Sequence, residues 1–265
     1  MKIPYLSVII PTHNRAIFLQ RALVSINKQA HRDLLEIIVI SDIVNTETDA
    51  VCSSLLRPTD IYIRRNGGNG PSVSRNIGLK MASGKFIMFL DDDDSWDTNF
   101  FENFLSKQLD NIINIAYFNC NIIKETRPKS GPIKISETFM DMSGRLTTDV
   151  FVKNQVHMSC FIFSKIILQG LEFDLSMRAY EDWDFLLGVF EKQFPVHMSI
   201  TCSNIFEVDD NTTDRRGSSA DANNFNAPID YLYVYRRHSA PSDEIRQKRT
   251  ALLKSVNLVI PSEFL

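Results

Sequence analysis

Four aspartates stand in a row at positions 91–94, directly after the apolar stretch KFIMFL. Carboxylates about 5 Å apart repel by roughly 3 kcal/mol per pair at an effective dielectric near 20, so such a run costs stability unless positive charge meets it. Hard carboxylate oxygens suit Mg²⁺ or Mn²⁺ carried on a diphosphate. A solvated acidic turn is the plainer reading of most charge runs. An EF-hand is a third reading, because Asp91, Asp93, Ser95, Asp97, Asn99 and Glu102 fall at loop positions 1, 3, 5, 7, 9 and 12. It fails on its backbone: Trp96 stands where the sharp turn needs glycine, and the preceding flank is strand-like. A second acidic group, YEDWDF at 180–185, opens an apolar helical run. Acids at a helix start are favoured by the helix dipole, and a carboxylate there can also take the proton from an attacking hydroxyl. The dipole lowers such an acid's pKa, so its work as a base would rest on placement more than basicity.

The elements that must position these acids follow from periodicity. YLSVII (5–10) and EIIVISD (36–42) are short, β-branched runs that read as strands buried on both faces. Between them Phe18, Leu19, Ala22, Leu23 and Ile26 recur at helical spacing, so strand, helix and strand form a right-handed crossover in a parallel sheet. DIYIRR (60–65) gives a third strand, GGNGPSVSRNIGLKMA a glycine-rich loop and helix, and KFIMFLDDDD a fourth strand. The aspartates thereby lie at the strands' carboxyl edge, where open α/β sheets bind ligands. Beyond them, TNFFENFLSKQLD reads as a helix, INIAYFNCNIIKE and MSCFIFSKIIL as strands, and EDWDFLLGVFEKQ as a helix. The polar interval 126–148 reads as an excursion lining an acceptor site.

The blocks SVIIPTHNRAIFLQRALVSINKQ, EIIVISD, NGGNGPSVSRNIGLKMASGKFIMFLDDDD and FDLSMRAYEDWDF, in that order, resemble family 2 glycosyltransferases over roughly residues 3–190. The resemblance implies a GT-A fold, a Rossmann-like, mostly parallel central sheet flanked by helices, with a C-terminal helical tail. It implies an inverting transfer from a nucleotide-diphosphate sugar, most plausibly UDP-linked, to a hydroxyl of a saccharide or lipid-linked saccharide in bacterial surface polysaccharide or glycolipid assembly. By the same resemblance Asp92 meets the ribose, Asp93 ligates the Mn²⁺ or Mg²⁺ on the diphosphate, and Asp91 shapes the turn or supports the ligands. Pro11, His13 and Arg15 line the nucleotide, Asp42 accepts from the base, Arg75 lies near the phosphates, and Asp182 is the catalytic base, with Glu181 and Asp184 the alternatives for geometry to settle. The segment SDIVNTETD departs from the family's Asp-Asp-Gly-Ser, and His13 stands where tyrosine is common. A turn histidine bonded to its own loop and a surface ion pair are the plainer readings of His13 and Arg75.

Composition sets outer limits. With 265 residues, 44% apolar content and net charge −3, the chain can build a large core and lacks the basic balance of a general nucleic-acid binder. Cys52, Cys120, Cys160 and Cys202 are widely spaced without a CxxC pair, so neither zinc nor a disulfide framework is expected, which fits a cytoplasmic setting. The first apolar run is too short for a signal peptide and none reaches a membrane span, so membrane contact would be peripheral, at the inner face. We read residues 1–215 as the catalytic body, 1–97 holding the nucleotide-sugar and 98–215 the acceptor, and 216–265 as linker and helical extension. Arg215 and Arg216 would reach the departing diphosphate from a loop. The tail's YLYVYRRH suits a membrane surface or a homodimer interface. A sugar nucleotidyltransferase would need a glycine-rich loop after the first strand, which PTHNR lacks. A non-catalytic nucleotide-sugar-binding regulator would not need both acidic groups.

Overall fold

The computed structural model describes residues 3–67, 70–108, 113–128, 130–177, 179–208 and 226–265. Strand β1 (Leu6–Thr12) is buried along its whole length, as is β2 (Leu35–Ser41), which explains their near-continuous apolar sequences. Between them α1 (Ala16–Asn27) buries Phe18, Leu19, Ala22, Leu23 and Ile26, the five positions at helical spacing. After β2 come α2 (Thr46–Leu55), β3 (Ile61–Arg64), α3 (Gly70–Met81) and β4 (Phe86–Phe89). Strands β3, β2, β1 and β4 run parallel in that order, so their carboxyl ends share one edge.

The sheet continues past the aspartates. Two-residue β5 (Ser95–Trp96) and α4 (Phe100–Gln108) precede β6 (Ile115–Thr126), β7 (Ile133–Met140) and β8 (Phe161–Ser164). Helix α5 (Glu181–Phe190) leads into β9 (Val196–Val208). The spatial order is β3-β2-β1-β4-β8-β6-β9-β5, with β7 paired to β6, so one sheet crosses from the first half of the chain into the second. β8 is antiparallel to both β4 and β6, whereas β9 is parallel to β6.

Three elements differ from the sequence reading. The interval 126–148 is not wholly irregular: β7 occupies it as an exposed edge strand, antiparallel to β6. Its apolar Ile133, Ile135 and Phe139 are exposed rather than packed in the core, and the polar SET between them breaks the alternation that would mark a strand. β9 has no counterpart in the sequence reading, because Asn and Ser interrupt its apolar positions; there Asn204 instead bonds Asn121 across the sheet at 2.9 Å. Nor does α2, which lies in a polar stretch without an apolar stripe. Asn45 starts it, its side chain accepting from the Thr48 N–H at 2.7 Å.

The tail is helical, as α6 (Asn226–Arg237) and α7 (Asp243–Ser255). Its aromatic residues do not mainly face outward. Tyr235 is buried and donates to the Val152 carbonyl at 2.6 Å, and Tyr231 packs 5.0 Å from the fully buried Trp183; Tyr233 stays exposed. Arg249 of α7, also fully buried, lies over the Tyr235 ring and donates to the Phe151 and Leu265 carbonyls. The boundary expected at 215/216 lies outside the described residues. Among the described residues no helix is long and apolar enough to cross a membrane, and all four cysteines are free and buried.

The opposite edge of the sheet is locked by a buried carboxylate. Glu36 accepts from the hydroxyls of Ser7 and Ser83 and from the Ser83 N–H, while Ser7 Oγ accepts from the Gly84 N–H at 2.8 Å. A Cβ on Gly84 would fall 2.6 Å from the Ser7 backbone nitrogen, so only glycine fits between the loop and β1. Gly84→Ala is expected to destabilise the chain by roughly 1–3 kcal/mol through overpacking. A urea melt checks this by a lowered midpoint at unchanged slope.

Candidate active site

The eight residues expected to meet the donor, from Pro11 to Asp93, all line one cavity of about 270 Å³, together with Thr12, Pro71 and Ser74. They arrive on four segments: the last residues of β1 with the turn that follows, the residue after β2, the first half of α3 and the turn after β4; the first strand thus runs on through Pro11, which the sequence reading places in the loop after it. Burial of β1, β2 and β4 fixes where those segments begin, so the cavity's position follows from the core.

Each aspartate has its own partners. Asp91 is the most exposed, and its carboxylate accepts from Arg75 at 2.9 Å. Its backbone carbonyl accepts from the Asp94 N–H at 3.0 Å, closing the turn expected of it. Asp92 is buried, accepting from the Thr12 hydroxyl at 2.7 Å and from Arg15 at 3.3 Å. Burial pushes its carboxyl up to about 6, against the opposing pull of Arg15. One oxygen of Asp93 faces Arg15 at 3.2 Å and both terminal nitrogens of Arg127 at 3.3 Å. Asp94 is buried beneath, accepting from the Ser159 hydroxyl at 2.8 Å and the Phe206 N–H at 3.2 Å. Burial, with Asp91 and Asp93 beside it, raises its carboxyl well above the ordinary range.

Nothing in the sequence singles out Arg127 and its supports. Its Nε donates to Glu125 at 2.8 Å, and Arg21 of α1 donates to the other Glu125 oxygen at 2.7 Å and to the Asp93 carbonyl at 2.6 Å. Glu125 and Arg127 are almost completely buried. No local signal marks this cluster, because Arg21 lies 104 residues from Glu125.

Two basic residues adopt neither of their plainer readings. His13 Nδ1 lies 2.5 Å from Asp42 Oδ1, reaching across to the end of β2 rather than to its own loop. Asp42 is buried, and Arg65 stands 4.0 Å from its second oxygen. Arg75 is buried rather than on a helix surface, and it spans from Asp91 to Glu181 of α5 at 2.8 Å.

That second bond ties the first turn of α5 to Arg75 on the cavity wall, although none of its three acids is among the lining residues. Of the three in its first turn, Glu181 is held by Arg75, and Asp184 faces the tail, bonded to Arg237 at 2.7 Å and His238 at 3.0 Å. Asp182 accepts from the Trp183 N–H at 2.7 Å, and among the described residues no cation touches its carboxylate. Its proton affinity differs from the dipole argument: burial and the Glu181 charge raise it to about 6, outweighing Arg75 and the helix amide. Arg215 and Arg216 lie outside the described residues. Among the described residues no group of three or more His, Cys, Asp or Glu side chains is placed to hold a metal ion.

The family model of glycosyl transferase family 2 matches residues 7–168. The chain belongs to this family. A GalNAc(5)-diNAcBac-PP-undecaprenol beta-1,3-glucosyltransferase of Campylobacter jejuni is 30% identical over 210 residues, 78% of this chain and 66% of its own length. An uncharacterized glycosyltransferase of Rickettsia prowazekii is 27% identical over 191 residues, 71% of this chain and 59% of that one. This chain therefore spans just under two thirds of these relatives' length. Among solved structures, S. aureus TarS in complex with UDP-GlcNAc superposes with a TM-score of 0.68 over 96% of this chain and 73% of that one, at 16% identity. The fold is GT-A.

The raised carboxyls carry a stability cost with a definite sign. Asp92 titrates near 6 when folded against 3.8 for an ordinary aspartate, so between those pH values the folded chain holds the extra proton and stability falls as pH rises. Ionising Asp92 in the fold corresponds to roughly 3 kcal/mol of lost stability. The thermal midpoint of the ligand-free protein should therefore lose less between pH 5 and pH 7.5 in Asp92→Asn than in the unsubstituted chain, as measured by calorimetric scans. An unchanged difference would remove Asp92 as a source.

Proposed function

We propose that this chain transfers a sugar from a UDP-sugar to an acceptor hydroxyl with inversion at the anomeric carbon. The observation that carries the reading is the Arg75 bridge, which joins the aspartate run to the acid-bearing start of α5 beside one cavity. TarS has been crystallised with UDP and with UDP-GlcNAc, and the C. jejuni relative is named for glucosyl transfer to an undecaprenol-diphosphate-linked saccharide. The first supports a UDP-sugar donor and the second a lipid-linked saccharide acceptor. Assembly of a bacterial surface glycan or glycolipid fits these two together.

In this reading Asp182 takes the acceptor's hydroxyl proton as its oxygen bonds to the anomeric carbon. The bond from that carbon to the diphosphate oxygen breaks on the opposite face, and its electron pair leaves with UDP. A carboxylate that titrates near 6 is ionised at pH 7 yet more basic than an ordinary aspartate. Pro11, His13 and Asp42 bound the nucleoside end of the cavity, Asp92 the ribose, and Arg15 and Arg75 the phosphates. Asp93 offers hard oxygen donors in the cavity, with no group of three or more such side chains gathered round them among the described residues, which fits Mn²⁺ or Mg²⁺ carried in on the diphosphate. Such an ion supplies positive charge to the departing diphosphate.

UDP release from a panel of UDP-sugars is expected to depend on Mn²⁺ and to fall about 100-fold or more in both Asp93→Ala and Asp182→Asn. The kcat/KM of the unsubstituted enzyme should rise with pH through about 6 and then level off, because the base must lose its proton. Undiminished turnover in Asp182→Asn would remove that residue from the base role, and equal turnover after chelation would remove the cation.

A further inference from the structure

Arg127 is built differently from the other cations of the site. It follows β6, on the acceptor side of the sheet, and its guanidinium sits 4.2 Å over the Phe18 ring. Glu125 takes its Nε at 2.8 Å, and Glu125 is in turn braced by Arg21, so the group is fixed along one edge. Its terminal nitrogens point at Asp93, and they share a single carboxylate oxygen with Arg15. That oxygen has two lone pairs and meets three guanidinium nitrogens at 3.2–3.3 Å, all longer than a full charge-assisted bond. Arg15 also serves Asp92 and lines the cavity, so it has room to turn to another anion. Arg127 is buried and anchored, so its charge stays beside Asp93 whatever enters.

We propose that Arg127 is a positioning residue that acts through Asp93 as a resident counter-cation, competing with a divalent ion so that the ion is accepted only together with a diphosphate. Without nucleotide, an ion entering beside Asp93 would find the facing oxygen already shared by two guanidinium groups, whose charge opposes the pull of the neighbouring aspartates. A nucleoside diphosphate adds the negative charge that reverses the balance, and Arg15 can then turn toward it. The inference rests on the donor-site reading above, since only that reading gives Asp93 a metal to hold.

The test is titration of Mn²⁺ alone, without nucleotide, followed by the loss of the free-ion electron paramagnetic resonance signal. Arg127→Gln should bind Mn²⁺ about tenfold or more tightly than the unsubstituted chain, and Arg127→Lys, which restores the charge, should return to the weak binding. A merely structural role predicts the opposite sign, because damage to a site weakens binding. The gain should vanish when Asp93→Ala is added to Arg127→Gln, which ties it to this carboxylate. Arg127→Met, which keeps an unbranched apolar side chain beside Phe18, is the second neutral variant if glutamine disturbs the fold, as judged by thermal melts. Mn²⁺ affinity equal to or below that of the unsubstituted chain in the folded neutral variant overturns the proposal, as does a gain that survives Asp93→Ala. Failure of the unsubstituted chain to bind UDP with Mn²⁺ present would instead overturn the donor-site reading.

Discussion

Four adjacent carboxylates at the end of a buried strand cannot stand without opposing charge, and the arrangement of the site follows from how the chain supplies it. Arg15 comes from the entrance to α1, Arg75 from α3 and Arg127 from the end of β6. Thr12, Ser159 and the Phe206 amide complete the set with hydrogen bonds. Segments that are far apart in sequence are thus drawn to one turn, and the sheet edge is tied together by the same acids that line the cavity. The positive charge that the aspartate run demands is partly supplied by the fold itself, as guanidinium.

The balance is incomplete, and the incompleteness is localised. Asp92 and Asp94 hold protons more tightly than ordinary aspartates because burial outweighs their partners, whereas Asp91 and Asp93 stand nearer to solvent and to arginine. The turn therefore combines two buried, reluctant anions that fix its shape with two accessible ones directed at the cavity. Asp182 has a similar character on the far side of Arg75, and Asp91 and Glu181 both contribute to the field it feels. One buried guanidinium accordingly sets both the geometry and the charge of two acidic groups, reaching one of them across 106 residues of chain.

Most of the first half is legible in the sequence because its signals are local. β1 and β2 announce themselves as unbroken apolar runs, and the α1 stripe repeats at helical spacing. The eight donor-side residues can be placed because all but Arg75 stand at or just after the carboxyl end of a strand and Arg75 lies in the first half of α3, so the sheet edge collects them. The second half is harder to read. β7 is solvated and β9 carries amides that satisfy one another across the sheet; in the first half α2 is as obscure, since it depends on a single asparagine cap in a polar stretch. Arg127, Glu125 and Arg21 escape for a different reason: their meeting is a property of tertiary closure, with no spacing to reveal it. The dipole argument for Asp182 has the right local physics but omits the burial and the neighbouring Glu181 that only the folded site displays.

Helix α5 presents two unlike flanks. Glu181 is tethered to the donor side, while Asp184 is clasped by Arg237 and by His238, whose other nitrogen meets Glu191. Helix α6 and the residue after it therefore grip the same ten-residue rod that carries the acids, through Asp184 rather than through Glu181, which Arg75 holds. The rod is thereby held from both sides, so α5 cannot shift toward either flank without breaking one of these ion pairs.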